Sequence, residues 1–460
     1  MAARDIRTHD TLHFALSSYL DGSAMRSIAG RSESIQVKKR ILYVHHCDAI
    51  GGATISMLGI IEQLAPEIFE PIVLFNGPKG NASPLFTEKG IAVVHDERLT
   101  TYQHAQGGWI SLRDLRPWEI ITKALEVVPS AKYFEQVLRE YRVDLVHLNT
   151  SVQIPAAIAA YHIGVPVVWH IREEIHPGYF GLRRCAVRKC FERFGDRIIA
   201  ISKQNAAQLV SSPKTTVVYN SVAFERFDRT LDSTSVRKEL DLRSDQPMVL
   251  MLGGVVQSKG ADILLEAAEL VCRVNRDVVF VIAGQQPRVL ESTSTTKRFV
   301  RRFLERIGFA RNVSRRCLAL LENSDMARQV RFIGVRGDVP QLLGACSMLV
   351  WPAMVSHFAR PIMEAGAMGK PVIASDFQSS REIVENNESG ILVPPEDPLR
   401  LANAILRLLH EPQTAQRLGE RGFQLALKRF DAKRNVAKIM DVYEEILGTK
   451  RYEGVTVEER

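Results

Sequence analysis

The sequence predicts an α/β fold of two Rossmann-like, doubly wound domains facing each other across a cleft. Length, a βαβα rhythm and the restart of that rhythm half-way along the chain predict it. At 460 residues and 46% hydrophobic content, the chain exceeds the roughly 250–300 residues that one core usually fills. From Lys38, short β-branched runs alternate with segments of helical period, as in a parallel sheet covered by helices on both faces. After the polar stretch DRTLDSTSVRKELDLRSDQ the same alternation begins again.

Residues 1–37 are polar and Ser-rich without lasting periodicity, and a mobile arm is expected there. In the first domain, 38–228, the expected strands are KRILYVHHC, EPIVLFN, IAVVHDE, DLVHLNT, VPVVWHIR, DRIIAIS and TTVVYN, with helical segments such as TISMLGIIEQL, YFEQVLREY and PAAIAAYHIG between them. From Glu97 to Ser130 the rhythm lapses into a polar, aromatic stretch holding Trp109, Pro117 and Trp118. It is expected to be either a binding loop or lid, or a structural loop whose Trp residues cap the core. The second domain, 229–430, offers PMVLMLGG, DVVFVIAG, QVRFIG, SMLVWPA, PVIAS and GILVPP as strands, and ADILLEAAELVCRV, VPQLLGAC, PIMEAGAMG and SREIVE as helices. It carries a basic insertion, 287–320, either a solvated helical excursion or an amphipathic face for an anionic membrane or acceptor. A last helix with a frayed tail, 431–460, is expected to pack back.

The formal charge of +8 favours anionic partners, among them nucleotide phosphates, lipid headgroups and nucleic acid. Nucleic acid is disfavoured, because no aromatic residues interleave with the basic run as in a known module. Cys47, Cys185, Cys190, Cys272, Cys317 and Cys346 form no CxxC pair and no zinc-spaced cluster, so buried reduced thiols and no metal site are expected. The absence of a long apolar run leads to the expectation of a cytoplasmic protein, in peripheral contact with the inner face of a membrane at most.

The strongest local pattern runs from Ser356 to Ser375, SHFARPIMEAGAMGKPVIAS. It leaves a strand and enters a helix near Pro361, which suits a first helical turn because it has no amide hydrogen to leave unpaired. Backbone amides at Ala359, Arg360 and the first turn then face a diphosphate at the positive end of the helix. Glu364, one turn inside, could accept hydrogen bonds from two ribose hydroxyls. Upstream, Gly253-Gly254-Val-Val-Gln-Ser-Lys259-Gly260 follows another strand, and His46-Cys-Asp-Ala-Ile-Gly51-Gly52 follows the first. At both, glycine lets the backbone approach a ligand closely, or simply makes a turn.

These segments resemble the family 4 glycosyltransferases, retaining and metal-independent enzymes of the GT-B fold. The 356–375 segment looks like the family's Glu-x7-Glu region, and the Gly253–Gly260 segment like its G-R-x-x-x-x-K-G turn. DLVHLNT, PVVWHIREE, AISKQNAAQL, VVYNSV and VRFIGVRGDVPQLLGACSMLVWPA match further family segments in order, over roughly residues 38–447. The resemblance implies a nucleotide-sugar donor on the second domain, a glycan or lipid-linked saccharide acceptor from the first, and no cofactor. It implies that Glu364 holds the ribose and that Phe358, Ala359, Arg360, Pro361 and Ile362 touch the diphosphate and sugar. Lys259 would neutralise the diphosphate, with Gly51, Gly52 and Gly253 lining the donor.

Two family residues are missing. The first glutamate is Ser356, and the arginine of the turn is Gly254, so Arg360 or Arg336 would have to compensate. The family histidine near the sugar falls on His170 or on Arg172, depending on a two-residue register. Two other readings share this architecture: a degenerate nucleotide-sugar-binding protein, and a nucleotide-sugar epimerase.

Overall fold

The computed structural model describes residues 38–101, 117–175, 179–209, 213–288, 312–322 and 325–448. The expected N-terminal arm, Trp109 and most of the basic insertion lie outside them. Two parallel sheets form. The first takes β1 (Lys39–His45), β2 (Phe69–Asn76), β3 (Ala92–Asp96), β4 (Leu145–Leu148), β5 (Val167–Ile171), β6 (Arg197–Ala200) and β7 (Thr215–Val217), in the order β3-β2-β1-β4-β5-β6-β7. The second takes β8 (Met248–Leu252), β9 (Val279–Ala283), β10 (Val330–Gly334), β11 (Met348–Trp351), β12 (Val372–Ser375) and β13 (Ile391–Val393), in the order β10-β9-β8-β11-β12-β13.

Successive side chains of a strand point to opposite faces, so a strand buried on both faces is apolar throughout. In β1, Leu42 and Val44 join one core while Ile41 and Tyr43 join the other. In β8, Leu250 and Leu252 pack on one face, and Val249 and Met251 on the other. Each sheet therefore has two cores, and Ile41–Val44 of β1 and all of β8 have no polar side.

Of the stretch from Glu97 to Ser130 expected to be a loop, residues 117–130 are helical, and 102–116 lie outside the described residues. A helix spans Pro117–Glu140 and runs through Pro129. Proline and the surrounding VVPS read as a break, because proline removes one helical hydrogen bond. Its C-terminal half is held by Ala131, Phe134, Val137 and Leu138, all in the first-sheet core. Of the six cysteines, Cys272, Cys317 and Cys346 are buried as expected, whereas Cys185 is exposed and Cys47 and Cys190 are half-buried.

The chain passes between the two sheets twice. The first passage follows β7; the second comes after the helix Pro412–Phe430, whose Gly422 lies against Gly366 of the helix Arg360–Ala367. At that point the Val222 amide donates to the Phe430 carbonyl at 2.7 Å. Asp431 then caps the next helix, Ala432–Leu447, by accepting from the Arg434 amide at 2.8 Å. This final helix buries Val436, Ile439, Val442 and Tyr443 against β1 and β2 residues of the first sheet.

Candidate active site

In each sheet the strand order turns back between two neighbours, β1 and β4 in the first and β8 and β11 in the second. Connections leave such a pair in opposite directions, opening a crevice beyond the carboxyl ends, where α/β sheets bind ligands. Both strongest sequence patterns end there, one after β8 and one after β11.

After β8 the chain makes a tight turn, Gln257–Lys259. Gly260 follows in left-handed conformation, φ +73°, and a Cβ on it would lie 1.9 Å from the Pro352 carbonyl oxygen. Only glycine lets this turn seat against the end of β11. The contact brings Lys259 Nζ to 2.8 Å from His357 Nε2 and over the Trp351 ring, 4.8 Å from its centroid. His357 Nδ1 lies 3.0 Å from the Val355 carbonyl. A carbonyl only accepts, so the proton sits on Nδ1 and Nε2 is left to accept from Lys259. Burial, then the Lys259 charge, bring His357 down to about 4, so it is neutral near pH 7. Burial brings Lys259 down to about 8.

The helix Arg360–Ala367 begins after Ala359, whose backbone is extended and whose side chain caps nothing. The first-turn amides, with Pro361 among those residues, thus lack a side-chain acceptor at the positive end of the helix. Arg360 Nε and Nη2 lie 3.1 and 3.0 Å from Glu364 Oε1, and Glu364 is buried. Arg360 Nη1 donates to Ser56 Oγ at 3.0 Å and to the Ser221 carbonyl at 3.2 Å. Its Cδ would lie 3.7 Å from a Cβ at Gly52. The first sheet's leading helix, Gly52–Ile61, therefore meets the second domain's helix at Arg360. Gly51 stands before that helix with open space where a side chain would be.

Several expected residues take other roles. The Phe358 side chain stacks on Tyr219 at 5.5 Å and 8° within the core, and Ile362 is buried there too, so both can offer a ligand only their backbone. Arg336 is not brought to Lys259 as a free compensating charge. Its guanidinium is already held by Asp338, at 2.8 and 2.7 Å, and by Glu239, at 2.7 Å. Gly254 is not a simple loss of arginine. Its φ is +66°, and a Cβ would lie 2.1 Å from the Gln285 amide nitrogen. With Gly253 at φ +104°, this turn has no room for a side chain at 254.

On the first-sheet side, His170 lies within β5 and is 2% exposed. Its Nδ1 is 3.1 Å from His147 Nε2, and His147 Nδ1 is 2.6 Å from the Tyr443 hydroxyl. Of the two candidates, Arg172 is the one that leaves the strand end. It donates to Asn149 Oδ1 at 2.9 Å and Asn220 Oδ1 at 2.6 Å. Burial above all lowers its pKa, to about 9, with the Glu173 charge raising it and the Arg360 charge lowering it.

Ser356 is bonded to the first domain as well. Gln204 Nε2 donates to its Oγ at 3.0 Å, and Ser379 Oγ lies 2.9 Å away. Beside it, the Glu382 carboxylate accepts from the amides of Lys203 and Gln204 at 2.7 and 2.8 Å. Sequence reasoning assigned no role to His357, Gln204, Ser379 or Glu382. Only the position of His357 inside the 356–364 loop could have singled it out. Among the described residues, His45, His46 and Cys47 alone group three possible metal ligands, within 4.8 Å. His45 has both ring nitrogens engaged, with Thr54 at 3.2 Å and Asn149 at 3.1 Å, which leaves it no lone pair for an ion.

The same two halves match known proteins. Residues 232–425 match the family described as glycosyl transferases group 1, and residues 50–226 match glycosyltransferase family 4. The chain belongs to the family 4 glycosyltransferases. Among relatives of this family 4 member, an alpha-D-kanosaminyltransferase of Streptomyces kanamyceticus is 25% identical, over 49% of this chain and 54% of its own length. The lipopolysaccharide core mannosyltransferase LpsB of Rhizobium meliloti is 23% identical, over 55% of this chain and 66% of its own. An Escherichia coli UDP-Gal:alpha-D-GlcNAc-diphosphoundecaprenol alpha-1,3-galactosyltransferase is 24% identical, over 68% and 79%. The chain thus spans less than two thirds of the length of the first two. HepE of Anabaena, solved with UDP, superposes with a TM-score of 0.66 at 21% identity, over 88% of this chain and all of HepE. Sucrose-phosphate synthase of Thermosynechococcus elongatus gives 0.62 at 18%, over 90% and 100%. The two-domain GT-B fold expected from the sequence is that of this family 4 chain.

Proposed function

We propose that the chain transfers a hexose from a UDP-hexose to a hydroxyl of a glycan or lipid-linked saccharide, with retention and without metal or other cofactor. The convergence of Lys259, Arg360, Glu364 and an uncapped helix start at the second sheet's crevice carries this reading. The diphosphate would sit between the Lys259 ammonium and the first-turn amides, with Glu364 on the ribose. Charge develops on the leaving phosphate as its bond to the sugar C1 breaks, and fixed positive groups in a partly dry site stabilise it strongly. The new C1–oxygen bond forms on the same face, and the acceptor proton passes to the departing phosphate. His357, as a neutral acceptor, aims Lys259 without competing for its charge.

Uracil is favoured because HepE was solved with UDP and the Escherichia coli relative is named for UDP-Gal. A lipid-linked acceptor is favoured by that relative's diphosphoundecaprenol. The membrane side of this reading rests on the first domain. Fully exposed Phe180 and largely exposed Leu182 lead into the basic helix Leu182–Phe194, where Lys189 and Arg193 are also exposed. Such a pairing of apolar and basic groups suits peripheral contact with anionic lipid. Among the described residues no helix is long and apolar enough to cross a membrane. A thermal-shift titration with UDP, GDP and ADP in the presence of a chelator tests the donor site. A UDP-specific rise is expected; no rise with any of them overturns the reading.

A further inference from the structure

We propose that Glu174, carried by the first domain, supplies the donor sugar with the carboxylate that position 356 of the second domain lacks. The proposal rests on the function given above. Position 356 follows β11 at the mouth of the crevice, one loop ahead of the Arg360–Ala367 helix, and carries only a hydroxyl. Glu174 is linked to that hydroxyl through Gln204. Its Oε1 accepts from Gln204 Nε2 at 2.7 Å, and the same nitrogen donates to Ser356 Oγ at 3.0 Å. A carboxylate from one half and a serine from the other are therefore bridged by a single amide.

The neighbouring carboxylates are already committed. Glu364 is paired with Arg360, and both oxygens of Glu382 are filled by the Lys203 and Gln204 amides. Glu173 accepts from the Ser151 amide and hydroxyl at 3.2 and 2.9 Å. Glu364 and Glu382 are buried and Glu173 is half-buried, whereas Glu174 remains exposed. Its pKa is raised, chiefly by partial burial. An ionised carboxylate accepts from two hydroxyls of a sugar at once, which Ser356 alone does not. Because the group comes from the opposite domain, it meets the donor sugar only when the two halves are together.

The test separates sugar from nucleotide. The full chain and its variants are titrated calorimetrically with UDP and with a panel of UDP-hexoses, and the preferred hexose is read as its gain in affinity over UDP. Glu174→Gln is expected to leave UDP affinity unchanged and to reduce that gain at least about tenfold. Adding Ser356→Glu to Glu174→Gln returns the carboxylate from the other side, and is expected to restore the gain. Ser356→Asp takes its place where the longer side chain disturbs UDP binding. A Glu174→Gln variant that keeps the full gain overturns the assignment. So does a double variant that binds UDP but regains nothing, or a wild-type chain that binds UDP and every UDP-hexose alike. A wild-type chain that binds neither UDP nor any UDP-hexose overturns the proposed function, and this assignment with it.

Discussion

The two lips of the crevice are built on different plans. On the second domain, Lys259 and His357 come from two loops that follow strand ends, Arg360 and Glu364 come from the helix after the second loop, and glycine geometry seats one loop on the other. On the first domain, Arg172 is placed by a buried chain of polar groups. It contacts Asn149, Asn220 and His170, and behind His170 lie His147, Tyr443 and Tyr43. Tyr443 lies 296 residues from His147 in sequence. One lip is a local device and the other depends on the tertiary fold, so the first should fail by losing charge and the second by losing support.

The sharpest way to break the local lip is Lys259→Ala. It should lower kcat/KM by about 10³-fold, the scale of losing one preorganised charge-stabilising group, while steady-state kinetics and an unfolding curve show a folded protein. Next is the turn before it. Gly254→Arg restores the family's residue type but places a Cβ 2.1 Å from the Gln285 amide. It should cost about 3 kcal/mol of stability and add no activity, since left-handed strain and overpacking combine. Urea denaturation checks it.

The third prediction concerns charge. Lys259 must be protonated to hold the diphosphate, and burial sets its pKa at about 8. The donor kcat/KM should therefore be full below that value and fall as pH rises through it, about tenfold per unit beyond. Lys259→Arg should carry the falling limb out of range, because a guanidinium stays charged. The smallest effect tests the supported lip. Tyr443→Phe removes one hydroxyl shared with His147 and Tyr43, and should cost about 1 kcal/mol in stability. Turnover should drop with UDP affinity unchanged, because only the support behind Arg172 is altered.

The same contrast explains what could be read in advance. β8 throughout and β1 from Ile41 to Val44 are apolar without interruption, because both faces are buried there, and that pattern survives in sequence. Glu364 and Lys259 were legible because proline, glycine and strand end lie beside them. Arg336 misled because one of its two partners, Glu239, is 97 residues away, and the pairing with Asp338 two residues on was not foreseen. His170 misled because the strand runs on to Ile171, so the residue beyond its end is Arg172, two positions further along. The helix through Pro129 was masked by a local breaker that tertiary packing overrides. Gln204 and Glu382 could not be found at all, since each acts on the opposite half of the molecule.

The helix Ala432–Leu447 gives the first sheet part of its core from the far end of the chain. The first domain is therefore not a contiguous stretch of gene. A fragment ending before β8 would leave Tyr43 and its neighbours facing water, and a recombination that swaps acceptor halves between relatives must exchange two separated segments together. A circular permutation that joins this helix to the start of β1 is the natural way to make that half stand alone.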